Sequence, residues 1–432
     1  MKVLIICYCY PPDPGPRAYR WSAIAQCWAE MGHEVHVISG WKLGALEEEL
    51  LGGVHVHRVG GAFSENLRLW IERRRGGGVS KKDAPQREEA LGGERFSGWA
   101  RIAKIIHDAT WKKVYWPDST CLWFFAARKM ALRLLGEIGF NAVISTSTPY
   151  TGHLVGRAVK AIRNDIHWMV DIGDPFWSCK PAVNNSRLHG ERNRRSEQKV
   201  LELCDSATVT VTSCRRAYEK AFSGIEGKIE VVPPLFSGEC AATPRLSSEK
   251  KKLVFTGSLY RDIRNPDYLL RLLGAVFERL PQVEAHFFGR VNDCAECFAE
   301  YETLLGKNLF LHGQVARDVA LKANFEADIL INIGNDTNYQ LPSKLVDYAA
   351  SGLPIVNIVS VADDSSLDFL SNYPAAMTFR DTPQGPTADE EERLADFISS
   401  PPRITAKTTD MFMKPYRLST IEQQYRALLG EK

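Results

Sequence analysis

The chain has 432 residues, of which 44% are hydrophobic and 25% are charged, with a formal net charge of +2. This length allows two domains that each have a sizeable core, and the near-neutral charge gives no indication of a nucleic-acid partner. The sequence contains no apolar run of the ~20 residues that a membrane-spanning helix requires.

The first predicted elements are a strand over residues 3–8, a helix over 18–31 and a strand over 34–39, which form a β-α-β opening. The N-terminal lysine and apolar run are reminiscent of a signal peptide. They end in PPDPGPR without a small-residue cleavage site, so we interpret them as a strand. The following loop carries Gly15, Arg17 and Arg20 near a helix N-terminus, a position suited to anions.

Residues 72–98 are rich in glycine and charge and nearly devoid of apolar side chains, which predicts a mobile loop. Residues 96–116 then place apolar and aromatic side chains at helical spacing with lysines and arginine between them. Such a helix can lie on an anionic membrane surface. A helix packed on its own domain with a solvated charged face explains the pattern equally well.

Two later loops carry polar side chains directly after predicted strands. The strand over 142–145 leads into STPYTGHLVG, which contains His153, and the strand over 168–171 leads into IGDPFW, which contains Asp174. Asp-Pro also opens ordinary turns, and a single histidine is more often structural than catalytic. The next predicted elements are a helix over 191–204, strands over 207–212 and 228–232, and a polar domain boundary over 235–251.

A second α/β series begins after this boundary, with a strand over 253–256, a helix over 266–280 and a strand over 283–288. The first strand is followed by Gly257, Ser258, Arg261 and Arg264, and the arginines precede a helix N-terminus where phosphate binds well. Gly289 and Arg290 follow the next strand. The single Cys-x-x-Cys motif, Cys294 and Cys297, has no second pair at zinc-like spacing, so free thiols in a reducing cytosol are the simpler account.

The most informative stretch is 328–359, which predicts a strand, a loop over 334–341, a helix and a second strand. Pro342 fits the first turn of the helix and Gly352 fits its end. Tyr339 and Leu341 lie in the loop, and Ser343, Lys344 and Asp347 can face one ligand from the helix. A surface helix with a lysine–aspartate pair is the competing interpretation. The pattern ends with a strand over 376–379 and helices over 389–399 and 416–429.

Six segments resemble family 4 glycosyltransferases: YPPDPGPRAYRW, GHEVHVIS, STPYTGHLVG, DIGDPFW, FTGSLYRDIRNPDYLL and PSKLVDYAASGLPIV. The resemblance implies an α/β GT-B fold with two Rossmann-like domains that face each other across a cleft. It places an acceptor-side domain over 1–238, a nucleotide-sugar domain over 239–414, and a helix over 415–432 that packs back on the first domain.

The resemblance also implies roles for individual residues. Asp347 would bind the ribose, and Tyr339 stands where many members have a glutamate that contacts the sugar. Of the two cations that grip the diphosphate, Ser258 replaces one and Arg264 stands at the other, with Lys344 sharing the charge.

In the first half, Gly15 would approach the donor with Arg17 in support, since Pro16 replaces the usual second glycine. His153 and Asp174 would line the cleft as the catalytic candidates. The remaining expected donor contacts are Gly257, Gly289, Arg290, Leu341 and Ser343.

The expected activity is retaining transfer of a sugar from a nucleoside diphosphate to a glycan or lipid-linked acceptor for a bacterial surface polysaccharide. We expect no cofactor and no metal, since Asp363 and Asp364 are predicted to form a turn. We expect a cytoplasmic protein that contacts the membrane surface through residues 96–116. A nucleotide-sugar epimerase of the same fold and a non-catalytic nucleotide-sugar-binding subunit are the alternatives.

Overall fold

The computed structural model describes residues 1–61, 115–179, 184–236, 238 and 250–431. The predicted loop over 72–98, and the predicted basic helix up to residue 114, lie outside this part of the chain. The chain divides into two compact units. The first comprises Met1–Val209, Tyr218–Glu230 and Glu422–Lys432, and the second comprises Thr210–Ala217 and Val231–Ile421.

The first unit is built on an eight-stranded sheet in the order β3-β4-β2-β1-β5-β6-β7-β8. The strands are β1 (Lys2–Ile6), β2 (Glu34–Gly40), β3 (Glu48–Leu51), β4 (Val54–Val59), β5 (Ala142–Ser147), β6 (His167–Ile172), β7 (Ser206–Val209) and β8 (Ile229–Val231). β3 runs antiparallel to β4, and the pairs from β4 through β7 are parallel. β1 is buried from Val3 to Ile6, because helices cover a parallel sheet on both faces.

The α-helices of the first unit are α1 (Pro16–Glu30), α2 (Trp123–Glu137), α3 (Thr151–Lys160) and α4 (Ser186–Leu203). The next helix, α5 (Thr212–Ala221), belongs to the second unit up to Ala217 and to the first unit from Tyr218 onward. α1 starts with Pro16 in its first turn, and Gly32 follows its end with φ +86°. α3 lies directly on the sheet, since a Cβ on Gly152 would be 2.6 Å from the Thr146 carbonyl oxygen.

One predicted strand is shorter than expected. The alternation over 207–212 predicts a continuous strand, but β7 ends at Val209 and α5 begins at Thr212. β7 pairs with β6 only up to Ile172, the last residue of β6, so the chain has no partner strand beyond that point. The sequence analysis did not predict β3, β4, α2 or α5.

The second unit has a six-stranded sheet in the order β11-β10-β9-β12-β13-β14, with parallel pairing throughout. The strands are β9 (Lys251–Thr256), β10 (Val283–Phe288), β11 (Leu309–Gly313), β12 (Ile329–Ile333), β13 (Ile355–Val359) and β14 (Ala376–Arg380). The α-helices are α6 (Asp267–Arg279), α7 (Arg317–Phe325), α8 (Ser343–Ala350), α9 (Ser365–Leu370), α10 (Ala388–Ser399) and α11 (Ala406–Met413). The last helix, α12 (Leu418–Leu428), begins in this unit, and its residues from Glu422 onward belong to the first unit. 3₁₀ segments cover Asn292–Leu304 and Lys414–Tyr416.

The predicted central stretch folds as strand, loop, helix and strand. β12 and β13 are fully buried, Pro342 caps α8, and Gly352 follows the helix with φ +69°. The core has two parts, one around Phe255 and Leu273 and the other around Leu330 and Leu345. The second part includes Val254 of β9, Leu330 of β12 and Leu345 of α8, so α8 packs against both strands. The loop that follows β9 is called the β9 loop below, and the loop that follows β12 is called the β12 loop.

Each sheet has a point where the strand order reverses, between β1 and β5 in the first unit and between β9 and β12 in the second. The loops that leave the carboxyl ends of these neighbouring strands turn in opposite directions, which opens a crevice suited to a ligand. The two switch points are therefore the candidate ligand sites of the fold. None of the helices in the described part of the chain is both long and apolar enough to cross a membrane.

Candidate functional site

The switch point of the second sheet starts at two glycines that bring two loops together. Gly257 and Gly289 have φ values of +138° and +143°, and a Cβ on Gly289 would lie 2.0 Å from the Gly257 carbonyl oxygen. The Gly257 amide donates to the Phe288 carbonyl at 2.8 Å, and the Leu259 amide donates to the Arg290 carbonyl at 2.8 Å. Only glycine fits this approach, so both loops are held by their backbones.

Arg264 is the first cation at this switch point and is half-buried. Its Nε donates to Asn335 Oδ1 at 2.9 Å, and Nη1 lies 3.5 Å from the Ser258 carbonyl oxygen. The first contact joins the β9 loop to the β12 loop. Burial lowers the pKa of the Arg264 guanidinium, although arginine remains charged at neutral pH.

Lys344, in the first turn of α8, is the second cation. Its buried Nζ has no hydrogen-bond partner within the described chain, and it sits 4.0 Å from the Phe255 ring centroid and 5.8 Å from that of Tyr348. Burial, followed by repulsion from Arg264, holds the pKa of Lys344 well below its usual value. A lysine buried in this way is costly unless an anion joins it.

The two cations converge on Gly257. A Cβ placed on Gly257 would lie 3.6 Å from Lys344 Nζ and 3.8 Å from Arg264 Nη1. Lys344 lies in the first turn of α8, and the start of a helix carries the positive end of the helix dipole. This arrangement is suited to an anion that carries more than one negative charge, such as a diphosphate.

The other predicted site residues of the second unit lie on these loops and on α8, and they differ in how exposed they are. Tyr339 and Leu341 are half-buried, Ser343 is the first residue of α8, and Asp347 is exposed on the same helix. The Arg290 side chain donates to Gln314 Oε1 at 2.6 Å. The structure therefore brings Gly257, Ser258, Arg264, Gly289 and Lys344 into one cluster.

Two residues of this cluster were missed from the sequence. Tyr348 accepts a hydrogen bond from the Thr256 amide at 3.0 Å, and its hydroxyl lies 2.8 Å from Thr256 Oγ1, so it ties α8 to the end of β9. Burial raises its pKa to about 12. Asn335 accepts the hydrogen bond from Arg264. The only feature of the sequence that could have identified it is its position just after a buried strand.

A cavity of about 180 Å³ is lined by residues of the loops after β9, β12 and β14, among them Arg261, Asp262, Asp336 and Asp381. The predicted turn at Asp363 and Asp364 precedes α9, where Asp364 Oδ1 accepts from the Ser366 amide at 2.8 Å. The buried Oδ2 of Asp364 would be 2.5 Å from a Cβ on Gly334, and burial raises the pKa of this carboxyl.

In the first unit, the carboxylate of Asp171 is the centre of a buried polar network. It is 1% exposed and accepts from Arg17 Nη1 at 2.6 Å, Trp21 Nε1 at 2.9 Å, Thr208 Oγ1 at 2.8 Å and the Tyr425 hydroxyl at 2.8 Å. Burial alone would raise the pKa of Asp171, but Arg17 and Arg20 outweigh it and hold the pKa below its usual value. Through Tyr425, the network includes α12.

Arg17 therefore forms an ion pair with the buried Asp171 carboxylate in this structure. A Cβ on Gly173 would come within 1.5 Å of Arg17 Nη2, so the guanidinium lies directly against the loop after β6. Gly15, by contrast, precedes α1 with an ordinary φ of −75°, and a Cβ there would meet nothing within 4 Å. The space next to Gly15 is open, whereas Arg17 Nη1 is engaged by Asp171.

The two catalytic candidates occupy different surroundings. His153 is 2% exposed on α3, its Nδ1 lies 2.9 Å from Ser145 Oγ, and its Nε2 has no partner in the described chain. Burial lowers its pKa to about 3, so the imidazole is neutral at pH 7. Asp174 is half-buried in the loop after β6, and Thr148 Oγ1 donates to its Oδ2 at 3.3 Å.

Glu197 on α4 fixes the loop that carries Asp174 and was also missed from the sequence. Its buried carboxylate accepts from the Phe176 amide at 3.2 Å, the Trp177 amide at 2.8 Å and the Tyr218 hydroxyl at 2.6 Å. Burial raises the pKa of Glu197 to about 7, since the bonds to Tyr218 and the two amides only partly offset the desolvation.

Cys294 and Cys297 are free, buried thiols, and burial raises the pKa of Cys297 to about 12. Across the described residues, no group of three or more His, Cys, Asp or Glu side chains is placed to hold a metal ion.

No protein-family model and no curated protein matches this sequence. The fold does match solved structures over their whole length. Sucrose-phosphate synthase from Thermosynechococcus elongatus superimposes with a TM-score of 0.57 and 13% identity, covering 100% of this chain and 99% of that one. Anabaena HepE in complex with UDP gives 0.58 and 13%, covering 100% of both chains. WaaG, a glycosyltransferase involved in lipopolysaccharide biosynthesis, gives 0.54 and 12%, covering 99% and 100%. The chain thus has two Rossmann-like domains of the GT-B fold.

Proposed function

We propose that this protein is a retaining glycosyltransferase of the family 4 type, which transfers a sugar from a nucleoside diphosphate to a hydroxyl group of an acceptor. The fold it shares with HepE, whose structure contains UDP, supports this class of donor. Fold alone does not define activity, so the proposal rests on the site. The observation that carries it is the pair Arg264 and Lys344, two cations without a carboxylate partner in the described chain that face Gly257.

The chemistry of transfer needs this charge. The bond between the anomeric carbon and the diphosphate oxygen breaks, the acceptor oxygen bonds to that carbon on the same face, and the acceptor proton passes to the leaving diphosphate. Negative charge grows on the diphosphate as the bond breaks, so cations placed in advance stabilise the transition state more than the bound donor. In this proposal the negative charge on the diphosphate is stabilised by Arg264, Lys344 and the start of α8. No metal ion or other cofactor takes part.

The remaining site residues have proposed roles by position. Asp347, exposed on α8, accepts from the ribose hydroxyls, and Gly289 and Arg290 border the nucleotide. Ser258, Tyr339, Leu341 and Ser343 line the donor site on the same loops. In the first unit, Gly15 leaves open space for the donor, and half-buried Asp174 is the polar group offered to the sugar. His153 is neutral and buried, so its proposed contribution is to hold α3 and the end of β5 in place.

The acceptor in this proposal is a glycan or a lipid-linked glycan of a surface polysaccharide. The support is the likeness in fold to WaaG and the basic aromatic pattern of residues 96–116. Contact of that segment with an anionic membrane would place the protein on the cytoplasmic face, where nucleotide sugars are made. Co-sedimentation with vesicles of phosphatidylglycerol tests this part, and equal binding after replacement of the segment's lysines and arginine by glutamine would refute it.

The donor site is tested by thermal unfolding with UDP, GDP, ADP and CMP in turn. A ligand at ~100 times its dissociation constant stabilises by about 2.7 kcal/mol, which is readily seen as a shift in midpoint. We expect one nucleoside diphosphate to stabilise the wild type and to have much less effect on Arg264→Ala. Arg279→Ala, which removes an exposed arginine at the end of α6, is the matched control and should respond like the wild type.

Two other functions are compatible with the same fold, and the reaction products distinguish each of them from glycosyl transfer. An epimerase would convert the nucleotide sugar to an isomer without releasing free nucleotide. A non-catalytic binding subunit remains an alternative because the usual glutamate is absent at Tyr339, the usual cation is absent at Ser258, and the loop after β6 lacks the histidine that many family members have there. Release of nucleoside diphosphate from a nucleotide sugar, with or without an acceptor, would exclude the binding subunit.

A further inference from the structure

Asn335 is a buried polar residue at the switch point of the second sheet. It follows Gly334 at the end of β12 and is 8% exposed. Its Oδ1 accepts the 2.9 Å hydrogen bond from Arg264 Nε. This bond links loops that are 71 residues apart in the sequence. The function proposed above gives Asn335 no contact with the donor, so its effect would be exerted through Arg264.

The backbone that carries Asn335 has little freedom. The Gly334 amide donates to the Ile358 carbonyl at 2.8 Å. A Cβ added to Gly334 would lie 2.5 Å from Asp364 Oδ2 and 3.2 Å from the Ile358 carbonyl oxygen. A side chain on such a support pays little entropy to keep one orientation, which is what a precise binding site requires.

The position of the hydrogen bond on the guanidinium matters. A contact at Nε fixes the plane of the group and leaves both Nη atoms for other partners, and Nη1 points to the Ser258 carbonyl and the bare backbone of Gly257. Arg264 also repels Lys344, whose pKa is lowered by burial first and by Arg264 second. Without an anchor, this repulsion would favour rotation of the guanidinium away from the site.

The anchor is neutral, which is its second useful property. An amide oxygen can orient a guanidinium without cancelling its charge. An aspartate of the same size would form an ion pair with Arg264 and would compete with any phosphate for it. Asparagine therefore keeps Arg264 oriented and still electrostatically available.

We propose that Asn335 is a positioning residue that holds the Arg264 guanidinium toward the diphosphate of the donor, and that this role requires an uncharged side chain. The proposal rests on the proposed function of the same site. It predicts opposite effects of a carboxylate at this position, namely a more stable ligand-free protein and weaker binding of the anion.

The experiment compares the wild type with Asn335→Asp and Asn335→Ala, using thermal unfolding without ligand and calorimetric titration with UDP, GDP, ADP and inorganic pyrophosphate. We expect about tenfold weaker anion binding for Asn335→Ala and about a hundredfold weaker binding for Asn335→Asp, the range that charge-assisted hydrogen bonds allow. The ligand-free midpoint should rise for Asn335→Asp, and this gain should vanish in Asn335→Asp combined with Arg264→Ala. Gln282→Glu, an exposed amide-to-carboxylate change before β10, controls for added charge.

A kinetic measurement separates positioning from a structural role. Because charge on the diphosphate grows in the transition state, a poorly oriented Arg264 should lower kcat more than it raises KM. If Asn335→Asp or Asn335→Ala binds the nucleoside diphosphate as tightly as the wild type, the inference is overturned while the donor site stands. If the wild type binds no nucleoside diphosphate and no pyrophosphate, the proposed function and this role both fall. The ligand-free comparison would then still show whether Asn335 and Arg264 are in contact.

Discussion

Replacing Lys344 by methionine should make the ligand-free protein more stable and at the same time abolish tight binding of the donor nucleotide. The Nζ atom is buried against Phe255 and Tyr348 and has no hydrogen-bond partner within the described chain. Removing a charge from water costs several kcal/mol per ion, and a desolvated contact with an aromatic face returns about 2 kcal/mol. Methionine has a similar length and no charge to desolvate.

The expected gain is therefore about 1–3 kcal/mol for the ligand-free second unit. For a unit of this size, each kcal/mol moves the thermal midpoint by about 2–4 °C, so a gain of about 1–3 kcal/mol should raise the midpoint by roughly 2–12 °C. Thermal unfolding should be followed with and without the nucleoside diphosphate that stabilises the wild type. The stabilisation by ligand, about 2.7 kcal/mol at 100 times the wild-type dissociation constant, should fall below about 1 kcal/mol in the variant.

Lys322→Met is the matched control. Lys322 is exposed on α7 and lies 3.8 Å from Glu326, an ion pair of the kind that contributes little to stability. This variant should stay within about 0.5 kcal/mol of the wild type and keep its response to ligand. A Lys344→Met protein that is less stable without ligand, or that still gains as much from the nucleotide, would refute the reasoning and make Lys344 a structural residue.

Three further predictions concern other parts of the molecule. Asp171→Asn should destabilise the first unit by about 3–5 kcal/mol in urea unfolding, because it removes the buried counter-ion of partly buried Arg17 and the negative charge next to buried Arg20; a loss below about 1 kcal/mol would show that the network is dispensable. Gly289→Ala should weaken nucleotide binding, since the added Cβ would lie 2.0 Å from the Gly257 carbonyl oxygen, whereas Gly306→Ala is the control at another positive φ, +76°, where the added Cβ meets nothing within 4 Å. Glu197→Gln should change the pH dependence of stability. Burial raises the pKa of Glu197 from 4.5 to about 7, so its contribution is fully present below pH 4.5 and is lost as the pH rises to 7. This linkage is worth about 3 kcal/mol, and unfolding curves of variant and wild type that stay parallel between pH 5 and 8 would contradict it.

The local pattern of the sequence was sufficient for most of the fold. Alternating strand and helix signals predicted the β-α-β opening and the stretch from β12 to β13, since burial on both faces of a parallel strand leaves a continuous apolar run. Gly352 was predicted to end a helix, and it adopts the expected positive φ of +69°. The short helix α5 was missed because its threonine-rich start has the composition of a strand. The length of β7 is limited by the end of its partner strand β6, which the local sequence of β7 does not show.

The sequence by itself also determined which types of side chain follow the strands, and hence that cations and glycines gather at loop positions suited to a phosphate. Only the tertiary structure decided how these side chains are used. Arg17 meets Asp171 across 154 residues, Tyr425 reaches the same carboxylate across 254, and Asn335 holds Arg264 across 71. Hydrophobic periodicity reports which face of an element is buried, but it carries no information on which distant residue shares that burial. Arg17 and Lys344 are both cations near a helix start, and one is neutralised inside the protein while the other lacks a partner in the described chain, because a carboxylate happens to lie beside only the first.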